Sequence, residues 1–182
     1  MISTNKIILV SHCILNVNSK VESFIEEFER EEARKELVKL IIENNISIIQ
    51  LPCPEQIMYG SKRWGHVKDQ FDTPHFRRIC REEFKTYLYQ IQEYINNGHE
   101  ILGILGIDGS PSCGVSLTCR GEWGGELGSN KNLSRTIDSI IYTEEKGIFI
   151  EEIESMLGEK GIKLDMFGFS LDSIEKIYGS IN

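Results

Sequence analysis

Apolar residues fall along this chain in two arrangements: short unbroken runs, and longer stretches in which they return every third or fourth position. The unbroken runs are Lys6-Ile7-Ile8-Leu9-Val10, Ile46-Ser47-Ile48-Ile49-Gln50-Leu51 and Ile101-Leu102-Gly103-Ile104-Leu105-Gly106-Ile107. Such runs, bounded by turn residues, suit strands covered on both faces, as in a parallel sheet. The periodic stretches predict helices over about 23–43, where Phe24, Phe28, Leu37, Leu40 and Ile41 repeat, over 74–97, and over 149–157. Thr73-Pro74 supplies an N-cap and a first-turn proline for the second of these, and its stripe runs from Phe76 through Cys80, Phe84, Leu88 and Ile91 to Ile95. Lys163–Phe169 predicts a last strand, and Leu171–Tyr178 a short closing helix. Val115–Thr118 alternates weakly and predicts a short strand ended by Cys119, while Leu133–Tyr142 is balanced between helix and strand. Glu55–Thr73 and Gly121–Gly128 sustain no period and read as loops, the glycine-rich one as a loop or lid. Run, helix and run in alternation predict a single α/β domain over 1–182, doubly wound and Rossmann-like, with a mostly parallel sheet.

What changes this outline into a functional reading is the way the runs end. The first finishes on Ser11-His12-Cys13, the second on Pro52-Cys53-Pro54-Glu55, and the third passes through Asp108-Gly109-Ser110-Pro111-Ser112 to Cys113. Ligands of open α/β sheets sit beyond the carboxyl ends of the strands, so three cysteines far apart in sequence converge in one crevice. No two form a CxxC pair, which removes the zinc-ribbon and thioredoxin signatures. Three thiolates on three strand ends are one fewer than a closed zinc or iron–sulfur site takes, and leave one metal position open. Three unrelated buried cysteines account for the pattern about as well.

The chain carries 20 Lys and Arg against 28 Asp and Glu, a net charge of -8, which argues against an extended nucleic-acid surface. No apolar stretch is long enough to span a bilayer and no basic lead precedes a signal-like run, so the expectation is a cytoplasmic protein with no membrane partner. Five cysteines, Cys13, Cys53, Cys80, Cys113 and Cys119, form an odd set better suited to ligands or reactive thiols than to disulfides. Cys80 belongs to a helical stripe and reads as core; Cys119 reads as an ordinary thiol.

Taken together, Ser11-His12-Cys13, Cys53-Pro54-Glu55 and Ser110-Pro111-Ser112-Cys113-Gly114 resemble the motifs of the thiouracil desulfidase family, over roughly the first two thirds of the chain. The resemblance implies one α/β domain holding a [4Fe-4S] cluster through Cys13, Cys53 and Cys113, with one open iron that takes sulfur from a thiolated nucleobase, releasing sulfide and leaving the oxo base. The chain departs from the family where Ile14-Leu15-Asn16-Val17-Asn18 and Gln56-Ile57-Met58-Tyr59-Gly60 replace the segments that follow the first two cysteines, which makes it a diverged branch. Glu55 is the expected base and Ser112 the hydroxyl that holds water or substrate, with His12 ranked below them. Asn16, Ser110 and the ring faces of Trp64 and Trp123 are expected around a small thiolated substrate, and Arg63, with Arg77 or Arg81, against its phosphate or carboxylate. Two other readings stand beside this one: a cluster-free sulfurtransferase or hydrolase with Cys113 as nucleophile, and a non-catalytic metal or iron–sulfur protein.

Overall fold

Four apolar runs pair into one parallel sheet in the order β2-β1-β3-β6. These strands are β1 (Lys6–Val10), β2 (Ser47–Gln50), β3 (Glu100–Ile107) and β6 (Met166–Phe169). The structure is a computed structural model that describes residues 4–22, 28–170 and 179. The expected closing helix over Leu171–Tyr178 and the first residues of the expected helix over 23–43 lie outside these.

Because β1 is central, its alternating side chains supply two cores. Leu9 faces one side with Ile104, against Phe76, Phe84 and Leu88 of α5 (Pro74–Asn96) and Phe149 and Ile153 of α7 (Ile148–Gly158). Ile8 and Val10 face the other side with Leu105 and Ile107, against Leu37 and Ile41 of α2 (Phe28–Glu43). Helices on both faces make the domain mixed α/β and doubly wound, as expected. Burying each such side chain contributes roughly 1.5–3 kcal/mol, so the two layers hold the strand ends in fixed relation. Thr73 caps α5, its Oγ1 accepting the Phe76 N–H at 3.2 Å with Pro74 in the first turn. Among the described residues no helix is long and apolar enough to cross a membrane.

The chain leaves β1 for β2 on one side and then crosses to β3 on the other, so the order reverses between β1 and β3. A crevice opens at such a point beyond the carboxyl ends. Pairing continues right up to it: Ser11 N–H donates to Leu105 O at 2.8 Å and Leu51 N–H to Val10 O at 2.8 Å. The residues that follow are therefore delivered from rigid ends.

Several expectations change in detail. The Glu55–Thr73 stretch is not a continuous loop: it holds α3 (Pro54–Tyr59) and α4 (Lys68–Phe71). Neither is long enough to show a period in sequence, and an aromatic column fixes both, with Tyr59 5.7 Å from Phe71 and Phe71 4.4 Å from Phe76 between ring centroids. Leu133–Tyr142 is both alternatives in turn, α6 (Leu133–Asp138) and then the start of β5 (Ile141–Thr143). The strand expected over Val115–Thr118 lies three residues further on, as β4 (Thr118–Arg120), which pairs antiparallel with β5 in a separate ribbon. Cys119 is therefore central in a strand, and its thiol donates to His66 O at 3.4 Å.

Candidate active site

Cys13 lies in the one-turn helix α1 (His12–Leu15) after β1, Cys53 immediately precedes α3 after β2, and Cys113 follows the turn after β3. All three are partly accessible, whereas Cys80 and Cys119 are buried. The Cys13 thiol hydrogen-bonds to the Cys113 sulfur, and both lie within electrostatic reach of Cys53. Donating that proton and being buried push Cys13 well above the usual thiol range. Accepting it, together with the Ser110 hydroxyl beside it, draws Cys113 below that range against its burial. Burial pushes Cys53 up to about 11. Ser11 is the residue that sequence reasoning passed over: its Oγ is buried without a hydrogen-bond partner, close to Cys113.

The segment carrying Cys113 is held from three directions. Asp108 Oδ1 accepts the N–H groups of Val115 at 2.9 Å, Ser116 at 2.8 Å and Leu117 at 3.3 Å, closing the turn around Ser110–Gly114. The first turn of α7 donates to it, Ile148 N–H to Pro111 O at 3.0 Å and Phe149 N–H to Ser112 O at 2.9 Å. It also folds back on its own strand, Ile107 N–H reaching Cys113 O at 2.9 Å, and a Cβ at Gly106 would collide with that same carbonyl oxygen. An aspartate closing a strand-to-loop turn was the signal available in sequence for the first of these.

Glu55 and Ser112, 57 residues apart, meet directly. Ser112 Oγ donates to Glu55 Oε1 at 2.6 Å, and Arg63 Nε donates to Glu55 Oε2 at 3.2 Å. Glu55 is 7% exposed and Ser112 2%, so both face the protein interior beside two of the cysteines. Arg63 is displaced from its expected role. Its side chain is 3% exposed, and it also donates to Gly60 O at 3.2 Å and Ser19 O at 2.6 Å, which leaves it positioning Glu55 rather than receiving an incoming anion. Arg77 and Arg81 are likewise committed, Arg77 to Asp72, Glu151 and Glu152 and Arg81 to Glu152 and Glu159.

The remaining expected residues divide. Ser110 is in the site, its Oγ accepting the Cys113 N–H at 3.2 Å. Asn16 is exposed at its rim with Nδ2 3.3 Å from His12 Nε2. His12 Nδ1 lies 3.2 Å from Leu51 O, an oxygen that only accepts, so the ring proton is on Nδ1 and Nε2 accepts from Asn16. A crevice of about 230 Å³ opens beside Cys53 and His12, walled by Leu51, Pro52, Ile57 and Tyr87. Neither tryptophan lines it. Trp64 is 66% exposed, and Trp123 lies in the loop that leaves β4 toward Ser139, to whose Oγ Glu122 N–H donates at 2.9 Å. The apolar lining of the crevice comes from Leu51, Ile57 and Tyr87.

Among the described residues no three His, Cys, Asp or Glu side chains are gathered tightly enough to hold one metal ion. A single ion needs its sulfurs about 4 Å apart, at metal–sulfur bonds of roughly 2.3 Å. A cubane cluster accepts its thiolates at separate corners, and three soft sulfurs on three strand ends are the kind of donor set such a group takes.

No family model matches the chain, and no solved structure matches it. It is similar to a protein of Methanocaldococcus jannaschii described as "Uncharacterized protein MJ0003", with 38% identity over 111 residues, 60% of this chain and 68% of that protein.

Proposed function

The chain belongs to the family of that Methanocaldococcus jannaschii protein, and from its own site we propose that it is an iron–sulfur-dependent desulfidase, converting the C=S of a thiolated nucleobase, nucleotide or similar compound to C=O with release of sulfide. The observation that carries this reading is the hydrogen-bonded pair Ser112–Glu55 set between strand-end cysteines, Glu55 two residues from Cys53 and Ser112 next to Cys113. Cys13, Cys53 and Cys113 would hold a [4Fe-4S] cluster. When bound, it supplies an iron without a protein ligand, open to a soft sulfur atom.

The rest of the chemistry belongs to the chain. Replacing sulfur by oxygen consumes one water and yields the oxo compound and hydrogen sulfide, with no net oxidation. Ser112, its proton directed at Glu55 Oε1, has lone pairs left to accept a proton from that water as its own passes to the carboxylate. Arg63 holds the other Glu55 oxygen and so fixes the carboxyl group against Ser112. Glu55 then returns the proton through Ser112 to the departing sulfide. Ile57 and Tyr87, in the crevice beside Cys53, give a flat ring an apolar wall.

A second reading rests on Cys113 itself, partly accessible at its strand end with Cys13 beside it, which draws its thiol below the ordinary range. In it, Cys113 is a nucleophile and no cluster is needed. The test is anaerobic assay of sulfide release from thiolated bases by protein reconstituted with iron and sulfide, in wild type and in the Cys13→Ser, Cys53→Ser and Cys113→Ser variants. The desulfidase reading expects release that each of the three substitutions abolishes. Activity that survives loss of Cys13 and Cys53 but not of Cys113 would establish the nucleophile instead.

A further inference from the structure

The crevice beside Cys53 is small and carries no cation. At about 230 Å³ it falls below the roughly 300–1,000 Å³ of pockets that take drug-sized ligands, so it admits a single ring rather than a nucleotide. Among the described residues no Lys or Arg lines it, and its polar side chains besides Cys53 are those of His12, Gln50, Gln56 and Tyr87. What each can offer an entering molecule depends on which of its atoms the protein has already used.

Gln50 is the last residue of β2, half-buried opposite Val10 of β1. Its Nε2 donates to His12 O at 2.8 Å. A carbonyl oxygen only accepts, so the carboxamide cannot be turned round, and the polar atom it has left is Oε1. Among the described residues no donor reaches that oxygen, and it is not shut in. His12 answers the bond, Nδ1 to Leu51 O at 3.2 Å, so each strand end holds the side chain of the other and the carboxamide is fixed in place. The other acceptors are spent or sealed. His12 Nε2 is met by Asn16 Nδ2 at 3.3 Å, and Gln56, whose Nε2 donates to Ser61 Oγ at 2.9 Å, has its Oε1 buried. Gln50 Oε1 is the amide oxygen left open, three residues before Cys53, beside the apolar surfaces of Ile57 and Tyr87.

We infer that Gln50 is a specificity-determining residue whose Oε1 accepts an N–H of a neutral ring seated against Ile57 and Tyr87. The substrate class is then a neutral cyclic thioamide with a free ring N–H, and a ring whose nitrogens are all substituted is rejected because it leaves the fixed acceptor without a donor. As a statement about substrate this rests on the desulfidase reading; the N–H site itself does not.

Two measurements separate them. In the reduced, cluster-free protein, the methyl signals of Ile57 report binding in NMR titrations with uracil and with 1,3-dimethyluracil. Methylation removes the donors from the ring and leaves the protein untouched, so the ratio of the two affinities isolates the N–H contact from any loosening of the strand ends. In wild type the dimethyl compound should bind about tenfold or more weakly, and Gln50→Met should bring the two within about twofold of each other. Gln50→Ala gives the same comparison if the methionine variant does not fold. Equal affinities in wild type, no shift with uracil, or a preference that survives the substitution overturns the site. In the reconstituted protein, kcat/KM for sulfide release from 2-thiouracil and from its dimethyl derivative should show the same preference, lost on substitution of Gln50 mainly through KM for 2-thiouracil. A kinetic preference unmoved by the substitution overturns the specificity role. If wild type releases sulfide from neither compound while the uracil titration holds, the desulfidase reading falls and the N–H site stands.

Discussion

Ser112 and Glu55 were legible in sequence because each stands beside a cysteine at a strand end, but their contact was not, since only the closing of β2 beside β1 and β1 beside β3 brings positions 57 apart to 2.6 Å. Arg63 shows the complementary failure. A cation in a polar stretch looks available for an anion, and its burial against Glu55 is a property of the tertiary fold alone. Two outcomes follow. Ser112→Ala removes the proton path without touching a cysteine, so sulfide release should fall about 100-fold or more while iron content stays at the wild-type level. Arg63→Ala leaves a buried carboxylate without its cation and should lower unfolding free energy by about 3 kcal/mol in denaturant titration. A loss below about 1 kcal/mol would mean that Glu55 is not held as the geometry describes.

Helix α5 was readable nearly to its ends, because capping chemistry and a clean apolar stripe agree. The elements that were missed are short ones whose positions are set from outside: α3 and α4 by the aromatic column, and β4 by pairing with β5. The Cys113 segment belongs to the same class. Its conformation depends on Asp108 Oδ1 gathering three backbone N–H groups, two of them at 2.8–2.9 Å. Asp108→Ala leaves those donors without a partner, one of them on buried Val115, and should cost about 2–4 kcal/mol. Since the same turn presents Ser112 and Cys113, sulfide release should fall with it; full activity in this variant would show that the turn is set by α7 alone.

For the whole molecule, the strand-then-cysteine pattern was enough to foresee a doubly wound parallel domain, whereas the ion network that ties α4, α5, α7 and the β4–β5 ribbon together left no sequence signal. Its centre is buried Lys68, with Glu151 at 2.6 Å and Glu145 at 3.0 Å, and Arg120 bridges Glu145 to Asp69. Hydrogen bonds from Arg120 and Lys68 hold the Glu145 carboxyl down to about 2. A carboxylate depressed in the folded state contributes stability that is present above its unfolded value, near 4.5, and lost as pH falls toward 2. The melting-temperature difference between wild type and Glu145→Gln should therefore shrink as pH is lowered from about 5 to about 2; a constant difference would contradict the network. The claim on which the functional account turns is that three strand-end cysteines act as one ligand set. It is tested most directly by iron and sulfide content after anaerobic reconstitution of wild type and the five single Cys→Ser variants. The account predicts about four irons and four sulfides per chain, with a brown visible absorption, in wild type, Cys80→Ser and Cys119→Ser, and loss of both in Cys13→Ser, Cys53→Ser and Cys113→Ser. A wild type that takes up no iron, or one whose cluster is indifferent to those three positions, would contradict it.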